Sequence, residues 1–215
     1  MRLFVAIYPD PPTQTWLVEA HRRLRTSLAR FDRELRWVDP EAIHITLSFL
    51  GKMPEAEPIV EALQTCRCVP MDLAVGGLGV FPSSHHPKVL WTGVSDAAGA
   101  LCRLQAEIAS AMAPFVEPES RRFEPHLTLA RVRPGRHSRI SGALAKAFTE
   151  WGDPSQPWHL EGFSLMQSEL TPRGARHSVV QTFGPSQAGM NGPEQRSASD
   201  DTHATANPAK RSRSR

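Results

Sequence analysis

Two four-residue segments, His44-Ile45-Thr46-Leu47 and His126-Leu127-Thr128-Leu129, repeat one order of polar and apolar side chains, one in each half of the 215-residue chain. Side chains along a strand point alternately to opposite faces, so each segment puts its histidine and threonine on one face and its apolar pair on the other. Each is therefore a strand with one face to bury and one to leave open. A third match, His203-Ala204-Thr205-Ala206, has no strand pattern around it and no apolar backing. Two apolar-flanked copies arise by chance in only roughly a few per thousand chains of average composition, so the pair is read as a functional duplication.

The rest of the chain supplies the elements such strands need. Leu3 to Ile7 reads as an opening strand, and the Tyr8-Pro9-Asp10-Pro11-Pro12 break precedes a helix with Leu17, Ala20, Leu24 and Leu28 at helical spacing. A second strand runs from Ile43 to Leu50, and Pro54 and Pro58 mark a short helix through Val60 and Leu63. Asp72 to Val80 and Lys88 to Val94 read as a hairpin. Asp96 is suited to cap a helix carrying Leu101, Leu104, Ile108 and Met112, which Pro114 ends. A strand from His126 to Val132, a helix capped by Ser138 and carrying Ile140, Leu144 and Phe148, and strands at Leu160 to Met166 and Ser178 to Phe183 follow. The order predicts an α+β fold of two lobes over residues 1–184, with antiparallel sheets facing a central cleft, helices outside and a pseudo-twofold axis between the lobes. With 40% hydrophobic residues the chain can bury such a core.

From Pro185 onward Ser, Ala, Gly, Pro, Asn and Gln dominate and Met190 is the one large apolar residue, so residues 185–215 are expected to be a disordered basic tail. That segment holds five basic and three acidic residues, which leaves the preceding 184 with a net charge of only +1. So small a sum argues against a strong electrostatic footprint for duplex nucleic acid, although a local patch remains open. No run reaches the ~18 to 20 apolar residues that span a bilayer, and the opening lacks the pattern of a signal peptide. Cys66, Cys68 and Cys102 form neither an even disulfide framework nor a CxxC pair. A cytoplasmic monomer with free thiols is expected.

Two histidines and two hydroxyls on open strand faces suit acid–base chemistry on a phosphate ester. One imidazole accepts a proton while the other donates one, and each hydroxyl donates to phosphate oxygens whose charge shifts during reaction. Neither an HExxH motif nor a carboxylate constellation with metal spacing is present. No cofactor and no metal are expected. The adjacent His85 and His86 read as a surface loop, and Phe49, by its parity with Ile45 and Leu47, as core.

The segments His44-Ile45-Thr46-Leu47-Ser48-Phe49-Leu50-Gly51 and Phe123-Glu124-Pro125-His126-Leu127-Thr128-Leu129-Ala130-Arg131 resemble the 2H phosphoesterase superfamily, and within it the RNA 2',3'-cyclic phosphodiesterase (2'-5' RNA ligase-like) family. The opening Arg2 to Ile7 and the segment Pro87 to Val94 are similar to the same family. The resemblance implies that His44 and His126 are the catalytic acid and base, that Thr46 and Thr128 hold the phosphate, and that Arg131 binds it as well. Strict alternation would put Arg131 with Leu127 and Leu129, away from His126; only a twist or bulge would re-aim it. His177 stands where the family usually has an aromatic tyrosine. The implied reaction is metal-independent hydrolysis of an RNA 3'-terminal 2',3'-cyclic phosphate to a 2'-phosphomonoester, with reverse 2'-5' ligation available when such an end meets a 5'-hydroxyl. Small cyclic nucleotides are further implied partners. Action on 2'-5' oligonucleotides or a cyclic nucleotide phosphate, and a non-catalytic RNA-binding or processing role, stay open as alternatives.

Overall fold

The structure, a computed structural model, describes residues 1–152, 154–171 and 174–185, the side chains at positions 137, 138, 170 and 171 excepted. Nine strands and four α-helices are described: β1 (Arg2–Ile7), α1 (Pro11–Ser27), β2 (Leu35–Trp37), β3 (Ile45–Lys52), α2 (Glu57–Leu63), β4 (Met71–Phe81), β5 (Val89–Ser95), α3 (Ala100–Met112), β6 (His126–Val132), α4 (His137–Trp151), β7 (Ser155–Leu160), β8 (Phe163–Thr171) and β9 (Gly174–Phe183). They form two antiparallel sheets, β3-β1-β8-β9 and β2-β6-β5-β4-β7. Most of the expected tail, residues 186–215, lies outside the described residues; Pro185 forms an isolated parallel bridge with Cys68.

The halves of the chain do not map one to one onto the sheets. β2 leaves the first half to join the five-stranded sheet, and β8 and β9 return from the second half to the four-stranded one. Helices cross over too: α1 follows β1 but packs on β7, and α3 follows β5 but packs on β3. One core cluster therefore includes residues of both sheets, from Leu3, Val5 and Ile7 to Leu127, Leu129 and Leu144. At roughly 1.5 to 3 kcal/mol for each fully buried aliphatic side chain, this shared interior favours a joint fold of the two lobes.

Aspartates upstream satisfy first-turn amides of two helices. Asp10 accepts from the Thr13 amide at 2.9 Å and prolines occupy the first turn of α1, whose Leu17, Ala20 and Leu24 are buried. Asp96 lies four residues before α3 yet still accepts from the amides of Ala98 and Leu101, at 3.0 and 2.6 Å. The expected face Leu101, Leu104, Ile108 and Met112 is buried. Ser138, expected as a cap, lies within α4, which starts at His137 with Arg136 as its boundary residue. The expected strand from Leu160 to Met166 is in fact a junction: β7 ends at Leu160 in one sheet and β8 begins at Phe163 in the other. Gly162 makes the passage possible, because a Cβ there would stand 2.4 Å from the Phe183 carbonyl oxygen. The three-residue edge strand β2 is too short to leave an alternation pattern. Among the described residues no helix is long and apolar enough to cross a membrane.

Candidate active site

β3 lies at the edge of its sheet and β6 next to the edge of the other, and these two motif strands touch where the sheets meet. Ile45, Leu47, Leu127 and Leu129 are all buried, at 1, 3, 0 and 0% exposure, while Thr46 and Thr128 are half-buried. His44 sits one residue before β3, held by a short 3-10 turn at Pro40–Ala42; His126 opens β6.

The two histidines share one local geometry. Nδ1 of His44 bonds the Ala42 carbonyl at 2.8 Å, and Nδ1 of His126 bonds the Glu124 carbonyl at 2.7 Å, each two residues back along the chain. A carbonyl only accepts, so Nδ1 carries the proton and donates it; Nε2 is the nitrogen free for exchange. Among the described residues neither Nε2 nor either threonine hydroxyl has a protein hydrogen-bond partner. Burial pushes His44 down to about 4, against the opposing pull of the Ala42 carbonyl, and the nearby positive groups of His177, Arg131 and His126 add to the depression. The His44 imidazole is thus neutral at pH 7.

A bulge decides where Arg131 points. Leu90 pairs with Ala130 but Trp91 pairs with Thr128, so Leu129 is the extra residue. Leu129 and Ala130 are both fully buried, after which Arg131 is exposed and Val132 buried. Parity has reversed, and Arg131 joins the face of His126 and Thr128. Two further register shifts in β3 skip Leu47 and Leu50. They turn Phe49 out of the core expected for it: it pairs with Phe4, is 69% exposed, and its ring lies 6.5 Å from that of Phe4. The Leu47 carbonyl accepts instead from Nε2 of Gln105 on α3, at 3.2 Å.

Under the first histidine lies a small apolar floor of Phe4, Ala6 and Met166, with Tyr8 packed against it. Phe4 is 5.0 Å from the His44 ring and 4.9 Å from the His177 ring. His177 itself stands edge-on to His44 at 5.2 Å and its Nδ1 is 3.1 Å from the Tyr8 hydroxyl. Burial lowers His177 and raises Tyr8 to about 12, so the phenol keeps its proton. The position that departs from the resembling family is therefore part of the site. Tyr8 went unread in the sequence, although it shares the parity of Phe4 and Ala6. Around the second histidine, Phe81 is edge-on to His126 at 4.9 Å and lies 4.9 Å from Trp91. Trp91 occupies the space over Gly79, where a Cβ would come within 2.2 Å of the indole. His85 and His86 are exposed in the loop between β4 and β5. Among the described residues no group of three or more His, Cys, Asp or Glu side chains has an arrangement that could hold a metal ion.

Two antiparallel sheets, each contributing a histidine–threonine strand at their common seam, define a fold of the 2H phosphoesterase class. The family whose description reads "2'-5' RNA ligase superfamily" matches residues 8–171, and the chain belongs to it. An RNA 2',3'-cyclic phosphodiesterase of Aquifex aeolicus is 34% identical over 155 residues, covering 69% of this chain and 80% of that one. Its counterpart from Aeropyrum pernix is 35% identical over 162 residues, 74% of this chain and 90% of that one. The crystal structure of a Thermus thermophilus protein superposes with a TM-score of 0.66 at 30% identity, over 86% of this chain and 97% of the other.

Proposed function

We propose that the protein hydrolyses RNA 3'-terminal 2',3'-cyclic phosphates to 2'-phosphomonoesters, without a metal. The observation that carries this reading is the matched pair of imidazoles, one just before β3 and one opening β6 where these strands touch, each with Nδ1–H tied to a backbone carbonyl and His126 near enough for its charge to act on His44. His44, neutral before substrate arrives, takes the proton of the attacking water as its oxygen bonds to phosphorus. The P–O3' bond breaks, and His126 delivers a proton to the departing O3'. Thr46, Thr128 and Arg131 hold the phosphoryl oxygens as charge builds on them. Names of the relatives support the substrate class. The proposed groups all come from one chain, so the reaction needs no second copy and a monomer suffices, and its three free cysteines fit a cytoplasmic setting.

The test offers chelator-treated protein three substrates: an oligoribonucleotide with a 2',3'-cyclic end, the linear 3'-5' oligonucleotide and a 2'-5' oligoadenylate. A 2'-phosphate from the first alone is expected. Cleavage of the 2'-5' linkage in preference to the cyclic ester, or activity that only added metal restores, overturns the proposal.

A further inference from the structure

The body of the chain is almost neutral in sum, yet the fold gathers arginines on one side of the site. β2 pairs with β6 so that Arg36 directly faces Arg131, while their neighbours Leu35 and Val132 are buried. Both arginines are exposed, and among the described residues neither has an ion-pair partner. Like charges directly opposite each other across two strands are destabilising, so this pair is suited to share an anion. Past the strand ends, Arg133 donates its amide to the Glu34 carbonyl at 2.8 Å and its side chain is exposed.

Beyond it Arg30, Arg33, Arg136 and Arg139 line a cavity of about 310 Å³. Glu34 is the one acidic residue in that lining. Its side chain is mostly buried, with one carboxylate oxygen 3.6 Å from Arg139 and the other without a hydrogen-bond partner. Asp32 is taken up by the Trp37 indole N–H at 2.8 Å and by Arg25 at 3.6 Å. An excess of guanidinium charge thus runs from the arginine beside His126 and Thr128 out to the start of α4. At about 3.3 Å per residue along a strand, Arg133 stands about 7 Å past Arg131, and the cavity lies farther on.

A ligand that uses all of these groups carries several negative charges in a row and has one end in the cleft. We propose that the β2–β6 edge and the arginine-lined cavity form a backbone track for the single RNA strand upstream of the cyclic end. Arg36 stands at its entrance and Arg30, Arg33 and Arg136 lie along it. Resting on the phosphodiesterase reading, the inference adds where the polymer lies. Guanidinium forks match phosphate geometry and read no base, so the track favours RNA of any sequence, a few nucleotides long. A cyclic mononucleotide is too short to reach it.

The test compares wild type with the triple variant Arg30→Gln, Arg33→Gln, Arg136→Gln on a 2',3'-cyclic mononucleotide and on a short oligoribonucleotide with the same end. At about −0.7 in log K per single-strand phosphate contact, losing three contacts flattens the salt dependence of kcat/KM for the oligonucleotide by about 2. KM for it should rise about 10-fold at moderate salt, with kcat kept and mononucleotide kinetics unchanged. Single Arg33→Gln and Arg136→Gln variants should move KM the same way if the triple does not fold. An unchanged oligonucleotide KM and salt slope would overturn the track and leave the patch to another polyanion, such as an acidic protein. Equal losses on both substrates would overturn it too, by placing these arginines in the cyclic-phosphate site. Anisotropy titration with an oligoribonucleotide ending in a plain 3'-phosphate reads the track without turnover. Arginine-dependent binding there, in a wild type that hydrolyses neither cyclic substrate, would sink the catalytic reading and not the track.

Discussion

Protonating His44 should cost folding stability, and the size of the cost follows from its surroundings. The imidazole titrates at 6.5 when free in the unfolded chain and at about 4 in the fold, chiefly because burial disfavours the charged ring. As pH falls, the unfolded chain takes up this proton first, so stability drops from about pH 6.5 downward and the loss is complete below about pH 4. At about 1.4 kcal/mol per pH unit the whole penalty is about 3 kcal/mol, most of which is present at pH 4.5. His44→Asn sets its Nδ2 amide where Nδ1 stands, which keeps a donor for the Ala42 carbonyl, and has nothing to titrate. Urea unfolding of both proteins at pH 7.5 and 4.5 isolates the effect, since carboxylates and other histidines contribute alike to each. Wild type should lose about 2 to 3 kcal/mol more than the variant between the two pH values, a relative midpoint shift of about 1 M for the urea slopes of small domains. Equal losses would refute the neutral, desolvated His44 on which its proposed role as base depends.

Replacing His44 or His126 by Ala should lower turnover of a 2',3'-cyclic nucleotide by at least ~100-fold, checked by steady-state kinetics on protein whose circular dichroism is unchanged. Thr46→Val and Thr128→Val should each cost about 1.5 to 3 kcal/mol in kcat/KM, less than the loss of a histidine; an equal loss would mean the threonines position the imidazoles instead. Gly79→Ala should displace Trp91, since its Cβ would meet the indole at 2.2 Å, and destabilise by about 1 to 3 kcal/mol with a shifted tryptophan fluorescence. Gly142→Ala, mid-helix in α4 with nothing within 4 Å of the added carbon, should instead stabilise by about 0.5 to 1 kcal/mol in thermal melts.

Much of the fold was legible because its signals are local. Apolar spacing in α1 and α3 marks the faces that are buried, and alternation in the two motifs matches the burial of Ile45, Leu47, Leu127 and Leu129 beside half-buried Thr46 and Thr128, although β3 begins at Ile45 and leaves His44 just before it. A resemblance carried by those motifs supplied the family. What pairing decides was not legible. The bulge at Leu129 exists only because β6 pairs out of step with β5, and it alone turns Arg131 toward His126 against the parity of its own strand. Shifts between β1 and β3 likewise bring Phe49 out over Phe4. A passage from β7 to β8 hides inside one apolar run, since burial on two different sheets leaves the same hydrophobic pattern. Composition even pointed away from the arginine track. Residues 30–36 and 131–139 are about a hundred positions apart, and their charges vanish in a sum of +1 over the first 184 residues. Electrostatic potential depends on distance in space, so only the pairing of Arg36 with Arg131 turns scattered guanidinium groups into a surface.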